Sequence, residues 1–241
     1  MELFDPEPCV LYPMEMDITR EDLSRKLSST PNKTALLQRG EGLVKGLNQS
    51  WTPGAVQGFF EFSCTGPNIG HLKKNLILES FDFGQAIDHL TMATHALVWV
   101  CTAGPQLEQA SKKASRQGDL LGSYLFDLMG LIVLEKVTDH LKQKLHEKIK
   151  ASGIGVSPML SPGAVRGWDI QNQTKLCSSL PIEKIKVTIS KDGVLSPFKT
   201  ISCLLGLGKE YESDIVGSPC QLCTGHDKCP MKHTIFQPSS F

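Results

Sequence analysis

Apolar residues recur every fourth position from Leu125 through Met129, Val133, Val137, Leu141 and Leu145 to Ile149, joined by Leu128 and Ile132. That period puts them on one face of an α-helix. It predicts a long helix over 119–150, ended by Gly153. The C-terminal half is charged on its other face. In the apolar half Asp127, Gly130 and Glu135 are the exceptions. Glycine inside a helix costs about 1 kcal/mol relative to alanine, so Gly130 implies close packing against another backbone. Asp127 fits a cap on a neighbouring element, and Glu135 a pair with Lys136 or a solvent-side base.

Other segments carry shorter patterns. Residues 1–18 hold three prolines and read as an irregular arm. Thr19, with Glu21 and Asp22 behind it, opens a short helix to residue 29. A second helix is expected over 34–47, weakened by Gly40, Gly42 and Gly46. The aromatic alternation Phe59-Phe60-Glu61-Phe62 predicts a strand over 55–64, closed by Thr65-Gly66-Pro67-Asn68. Leu76-Ile77-Leu78 restarts a strand. Residues 84–95 have helical spacing at Ile87, Leu90 and Thr94, and 96–101 read as a fully buried strand. Thr102-Ala103-Gly104-Pro105 leads into a helix with Pro105 near its first turn. Strands over 185–190 and 200–205 follow a short polar helix. Strands and helices mix without a βαβ repeat, which gives an α+β fold with a twisted, mainly antiparallel sheet and flanking helices. The expected division is an N-terminal helical arm (1–50), an α+β domain (51–210) and a cysteine-rich tail (211–241).

Composition narrows the function classes. Among 241 residues, 25 basic side chains balance 25 acidic ones, so no global field favours nucleic acid or an anionic membrane. The most apolar run, 120–134, carries Asp127 and is too short to cross a bilayer. The first residues lack a secretory pattern, so the expected compartment is the cytoplasm. The motifs of dinucleotide-binding folds, phosphate-binding loops, zinc proteases and serine hydrolases are absent. Neither His89 nor His95 has an identifiable nucleophile partner.

Two regions carry candidate chemistry. The first is Ser161-Pro162-Gly163 with Gly167-Trp168: a turn that can offer backbone donors, near an aromatic face suited to a flat ligand or to sealing the core. The second is the tail. Cys9, Cys64, Cys101, Cys177 and Cys203 are scattered and read as small buried hydrophobes, whereas Cys220-x2-Cys223-x5-Cys229 is followed by His233 after three residues, with His226 between. Cys220, Cys223, Cys229 and His233 make a Cys3His set for zinc; alternatively the three thiolates hold an iron–sulfur cluster with a further ligand such as Cys203.

The ordered series Thr102-Ala103-Gly104-Pro105, Gly118-Asp119, Asp127-x2-Gly130-x4-Glu135, Ser161-Pro162-Gly163, Gly167-Trp168 and Pro197-x-Lys199-Thr200-Ile201-Ser202 resembles the activation domain of cobalamin (vitamin B12)-dependent methionine synthase. More closely it resembles the small stand-alone versions from anaerobes. The resemblance covers roughly residues 55–208. It implies a domain that binds S-adenosylmethionine and packs over a corrinoid on a partner protein, supporting reductive reactivation and methylation of the cobalt. A corrinoid protein or cobalamin-dependent methyltransferase is the implied partner. Carried over, Glu135 falls at the helix acid and Ser161, Pro162 and Gly163 at the ligand loop. The sequence departs from that pattern where Met159 stands for an arginine and Ala164 for a tyrosine. Arg166 is near enough in sequence to substitute, and Trp168 to stack. The alternative is a non-catalytic corrinoid-protein binding or redox-sensing module that has lost S-adenosylmethionine.

Overall fold

The computed structural model describes residues 9–11, 16–28, 30–47, 50–217 and 222–223. Its centre is a seven-stranded sheet, antiparallel at every pairing, built from β1 (Cys9–Leu11), β2 (Gly54–Cys64), β3 (Ile69–Lys74), β4 (Ile77–Asp82), β5 (His95–Thr102), β6 (Gly155–Val156) and β9 (Thr200–Gly208). The order is β4-β3-β2-β5-β9-β6, with β1 also on β2. A two-stranded ribbon, β7 (Thr188–Ile189) with β8 (Leu195–Ser196), stands apart. The expected antiparallel α+β architecture is therefore what the chain adopts.

β5 is buried on both faces, and its alternation divides the core. Leu97, Trp99 and Cys101 join Cys203, Leu205 and Leu207 in one apolar cluster; Ala96, Val98 and Val100 join Leu204 in another. Helices α1 (Arg20–Lys26), α2 (Lys33–Gly46), α3 (Gln106–Arg116) and α4 (Leu120–Lys150) supply the first cluster. The second is closed by the 160–170 loop, α5 (Asn172–Ser178) and the 3-10 turns Gly84–His89 and Ile182–Ile185.

Thr19 caps α1: its hydroxyl accepts from the Asp22 N–H, and the Asp22 carboxylate accepts from the Thr19 N–H at 2.8 Å. Ile18, Leu23, Leu27, Leu36 and Leu37 enter the same cluster as α4, so the helices of the expected arm share the core of the sheet. Residues past β9 are also tied down. The Val156 N–H donates to the Ser213 carbonyl, and Val216 is buried.

Several expectations need correction. Cys9–Leu11 is a strand, not irregular arm. β3 was not foreseen: its alternation is broken by Gly70, where any Cβ would meet the Phe62 and Phe83 rings. Residues 84–89 form a 3-10 turn, and 90–94 are not helical. The strand expected over 185–190 shrinks to Thr188–Ile189, because Ile182–Ile185 turns first. What lies nearest Gly130 is a side chain and not a backbone: a Cβ there would stand 3.0 Å from Lys199 Cγ. Cys9 and Cys64 are exposed, whereas Cys101, Cys177 and Cys203 are buried as expected.

Candidate functional site

The candidate loop follows the sheet edge. After β6 the chain pairs Leu160 with Leu204, and Ser161 donates its hydroxyl to the Ser202 carbonyl at 2.8 Å. From there a polar chain runs inward: the Ser202 hydroxyl donates to Gln173 Oε1 at 3.0 Å, and Gln173 Nε2 donates to the Gly193 carbonyl at 2.7 Å. These bonds fasten the loop to β9 and to the turn before β8. Buried polar atoms of this kind stabilise only when satisfied.

The loop also consumes its own donors. The Gly163 N–H bonds the Trp168 carbonyl at 2.8 Å, and the N–H groups of Ala164 and Val165 both reach the Ser161 carbonyl. The expectation that this turn offers those donors to a ligand is thus corrected. Gly163 does have positive φ (+77°), with Ile170 filling the space a Cβ would need. Gly167 (φ +83°) lies against Gly84 (φ +52°), an approach neither backbone could make with a side chain. No sequence signal pairs these two glycines across 83 residues of chain.

Trp168 is 1% exposed and seals the core, its ring 4.8 Å from that of Phe83. Among the described residues its indole N–H finds no hydrogen-bond partner. Arg166 is exposed beside it, and Pro162 is buried. Ile170, next to Gly163 and Gly193, is an exposed apolar side chain.

Glu135 is elsewhere. It sits on α4, on the helix-covered side of the sheet, while Trp168 belongs to the opposite cluster. Its carboxylate pairs with Lys26 at 2.9 Å and Arg25 at 3.5 Å. Lys136, the partner expected from sequence, instead holds Asp22 at 2.6 Å. Burial pushes the Glu135 carboxyl above its ordinary value, and the two cations oppose that only in part. Met159 is fully buried in the cluster beneath α4. The structure therefore gathers Ser161, Pro162, Gly163, Arg166 and Trp168, and leaves Glu135 and Met159 apart from them.

Sequence reasoning missed one ion pair at the same end of β9. Lys199 Nζ lies 2.6 Å from Asp127 Oδ1, its stem crosses Gly130, and its ammonium stands 4.8 Å over the Phe198 ring. Beneath it Thr200 donates to the Thr102 hydroxyl, which also accepts from the Gly104 N–H. The spacing Asp127-x2-Gly130 was visible; its partner on another element was not.

Of the candidate metal ligands, Cys220, Cys229 and His233 lie outside the described residues, as does His226. Cys223 is half-buried and pairs with Val165 in an isolated antiparallel bridge. Cys203 is fully buried among residues facing the helices, on the other side of the sheet from Val165. No group of three metal-ligating side chains gathers among the described residues.

No protein-family model matches the sequence, and no curated protein matches it significantly. Solved structures do match, among them the crystal structure of the MetH reactivation domain bound to AdoHcy. The TM-score is 0.63 at 9% identity, over 88% of this chain and 82% of that one. The fold is like that of the MetH reactivation domain. At such identity the likeness fixes the curled antiparallel sheet with its flanking helices and no more. Among the described residues no helix is long and apolar enough to cross a membrane.

The contacts of the carried-over residues do not fit a tightly held S-adenosylmethionine. Its carboxylate would lack the arginine replaced by buried Met159, and the helix acid is engaged by Lys26. Losing a charge-assisted contact of that kind costs about 1.5–3 kcal/mol.

Proposed function

We propose that this chain is an accessory of a corrinoid methyltransferase system, resembling the stand-alone activation domains of anaerobes, and that it docks on a cytoplasmic partner carrying cobalamin while the cobalt is reactivated. What carries the reading is the likeness of nearly the whole chain to a reactivation domain that binds AdoHcy. The contribution of this chain is positioning. The fastened 161–170 loop presents Arg166 and Ile170, and the redox and methyl chemistry belongs to the partner's cofactor.

A second reading has a specific observation in its favour. Glu135 is held by Lys26, Met159 is buried, and the loop's donors are satisfied internally. These favour a docking or redox-sensing module that has lost S-adenosylmethionine.

The common part of both readings is tested by mixing the purified chain with a corrinoid methyltransferase subunit loaded with cob(II)alamin, without oxygen. A complex on gel filtration together with a changed corrinoid spectrum is expected. Neither complex nor spectral change would sink both readings; methylation of the cobalt by added S-adenosylmethionine and reductant would separate the first from the second.

A further inference from the structure

β2 runs beside β5 as far as Glu61 and beside β3 from there on. Where it changes neighbours, the end of the sheet carries a protrusion and a hollow side by side. The protrusion is the β3–β4 hairpin, in which Lys74 faces Ile77 across the two-residue turn Asn75-Leu76, with Asn75 at positive φ (+53°). Leu76 is wholly exposed, Ile77 65% and Leu78 59%. No other three consecutive large apolar side chains are exposed among the described residues. The hollow is a groove of about 800 Å3 between that hairpin, the 91–95 loop and the end of β9. Met92, Ile154 and Leu207 give it an apolar floor, with Glu61, Lys74 and Glu210 on its rim. Exposed apolar surface bordered by polar groups marks an interaction site.

Three observations select what covers it. A strand added along β4 is obstructed, because Lys175 donates to the Ser80 carbonyl and blunts that edge. A surface of one sign, such as an anionic bilayer, does not match a rim where Lys73 is paired with Glu61 at 2.9 Å and Lys209 is followed by Glu210. A second copy of the chain does match. It brings an apolar tip with Lys74 at its base to a hollow with Glu210 on its rim, and a two-fold axis returns the same contact from the first copy. Protrusion and hollow are neighbours on one face, so both contacts close together.

We infer that two copies of this chain pair about a two-fold axis at this end of the sheet, the 76–78 tip of each seated in the groove of the other. Closed symmetry of this kind uses up both apolar surfaces and leaves none for further growth. The inference does not depend on a corrinoid partner.

The test is sedimentation velocity of the full chain over micromolar concentrations, with reductant so that exposed Cys9 and Cys64 form no disulfide. A reversible monomer–dimer equilibrium is expected. Leu76→Asp and Met92→Lys, one on each side of the contact, should each weaken it about tenfold or more. Thermal unfolding of the two monomeric variants should match wild type at low concentration, since both side chains are exposed. Leu120→Asp, also exposed but on α4, should leave the dimer intact. A monomer at every concentration, a dimer undiminished by Leu76→Asp and Met92→Lys, or one lost equally in Leu120→Asp would overturn the inference. So would a chain that stays monomeric and instead pellets with vesicles of anionic phospholipid.

Discussion

Lys26 Nζ lies 2.9 Å from Glu135 Oε2, and the lysine side chain is wholly enclosed. Two residues 109 positions apart thus form the ion pair by which α1 grips α4. Arg25 reaches the same carboxylate, and Lys136 returns the contact to Asp22. The acid that sequence resemblance assigns to a ligand is engaged here by Lys26 and Arg25. A buried pair of this kind contributes little net stability, but removing one member leaves the other charge uncompensated.

Lys26→Met should therefore destabilise the protein by roughly 3 kcal/mol, at the low end of a broken buried pair because Arg25 remains. The double variant Lys26→Met/Glu135→Leu should recover most of that. Urea unfolding of the four proteins of the cycle measures the coupling, and a coupling near zero would show that the pair does not hold α1.

The pH dependence of the same network has two opposite signs. Burial pushes the Asp22 carboxyl up, but hydrogen bonds from Lys136 and Thr19 outweigh it and hold it below the ordinary 3.8. Its stabilising contribution is complete above 3.8 and fades as pH falls through the native value. Glu135 is raised above 4.5 by burial, so the folded state keeps its proton longer, and its contribution weakens as pH rises from 4.5 through that raised value. Asp22→Asn should cost about 1–2 kcal/mol at neutral pH through the lost cap and ion pair. Wild type and variant should converge below the native Asp22 value in urea melts across acid pH.

The wedge between Gly84 and Gly167 gives a third expectation. Gly84→Ala would overlap the Gly167 carbonyl, and Gly167→Ala would put its methyl 2.7 Å from the Gln85 nitrogen, both at positive φ. Strain and overpacking together predict at least about 2 kcal/mol for either change. Gly66→Ala, with open space around it, is the control. Thermal unfolding of the three variants decides it.

Thiol reactivity separates the cysteines cleanly. Disulfide-exchange labelling of the native protein at pH 8 should modify exposed Cys9 and Cys64 and spare Cys101, Cys177 and Cys203 until denaturant is added. Peptide mapping of the labelled protein reads the pattern.

Much of this arrangement was legible in the sequence where it is local. The fourth-residue stripe from Leu125 to Ile149 marks α4 because a helix repeats that spacing by geometry. Thr19 and Asp22 mark the α1 cap because both partners lie within one turn. β3 was hidden because Gly70 supplies no side chain to an alternation that two phenylalanine rings complete from elsewhere. Within the candidate site, Ser161 to Trp168 stood out by turn chemistry. The partners that decide its behaviour are Phe83, Gly84, Gln173, Ser202 and Cys223, which chain folding brings from afar and no spacing encodes. Glu135 was visible as an apolar-face exception, but Lys26 was not.

Ligand preference follows from the same geometry. On the second reading the chain should show no saturable heat with S-adenosylmethionine in calorimetry, since the ligand's carboxylate finds no arginine and its ammonium no free helix acid. Restoring the arginine should not rescue binding. Met159 points into the core beneath α4, so Met159→Arg buries an unpaired charge there and should destabilise the fold by roughly 3 kcal/mol or more. If instead the wild-type chain bound S-adenosylmethionine tightly, and Glu135→Ala abolished that binding without unfolding the protein, Lys26 would have to release Glu135 for the ligand. The α1–α4 grip would then be a gate, and Lys26→Met should raise the affinity.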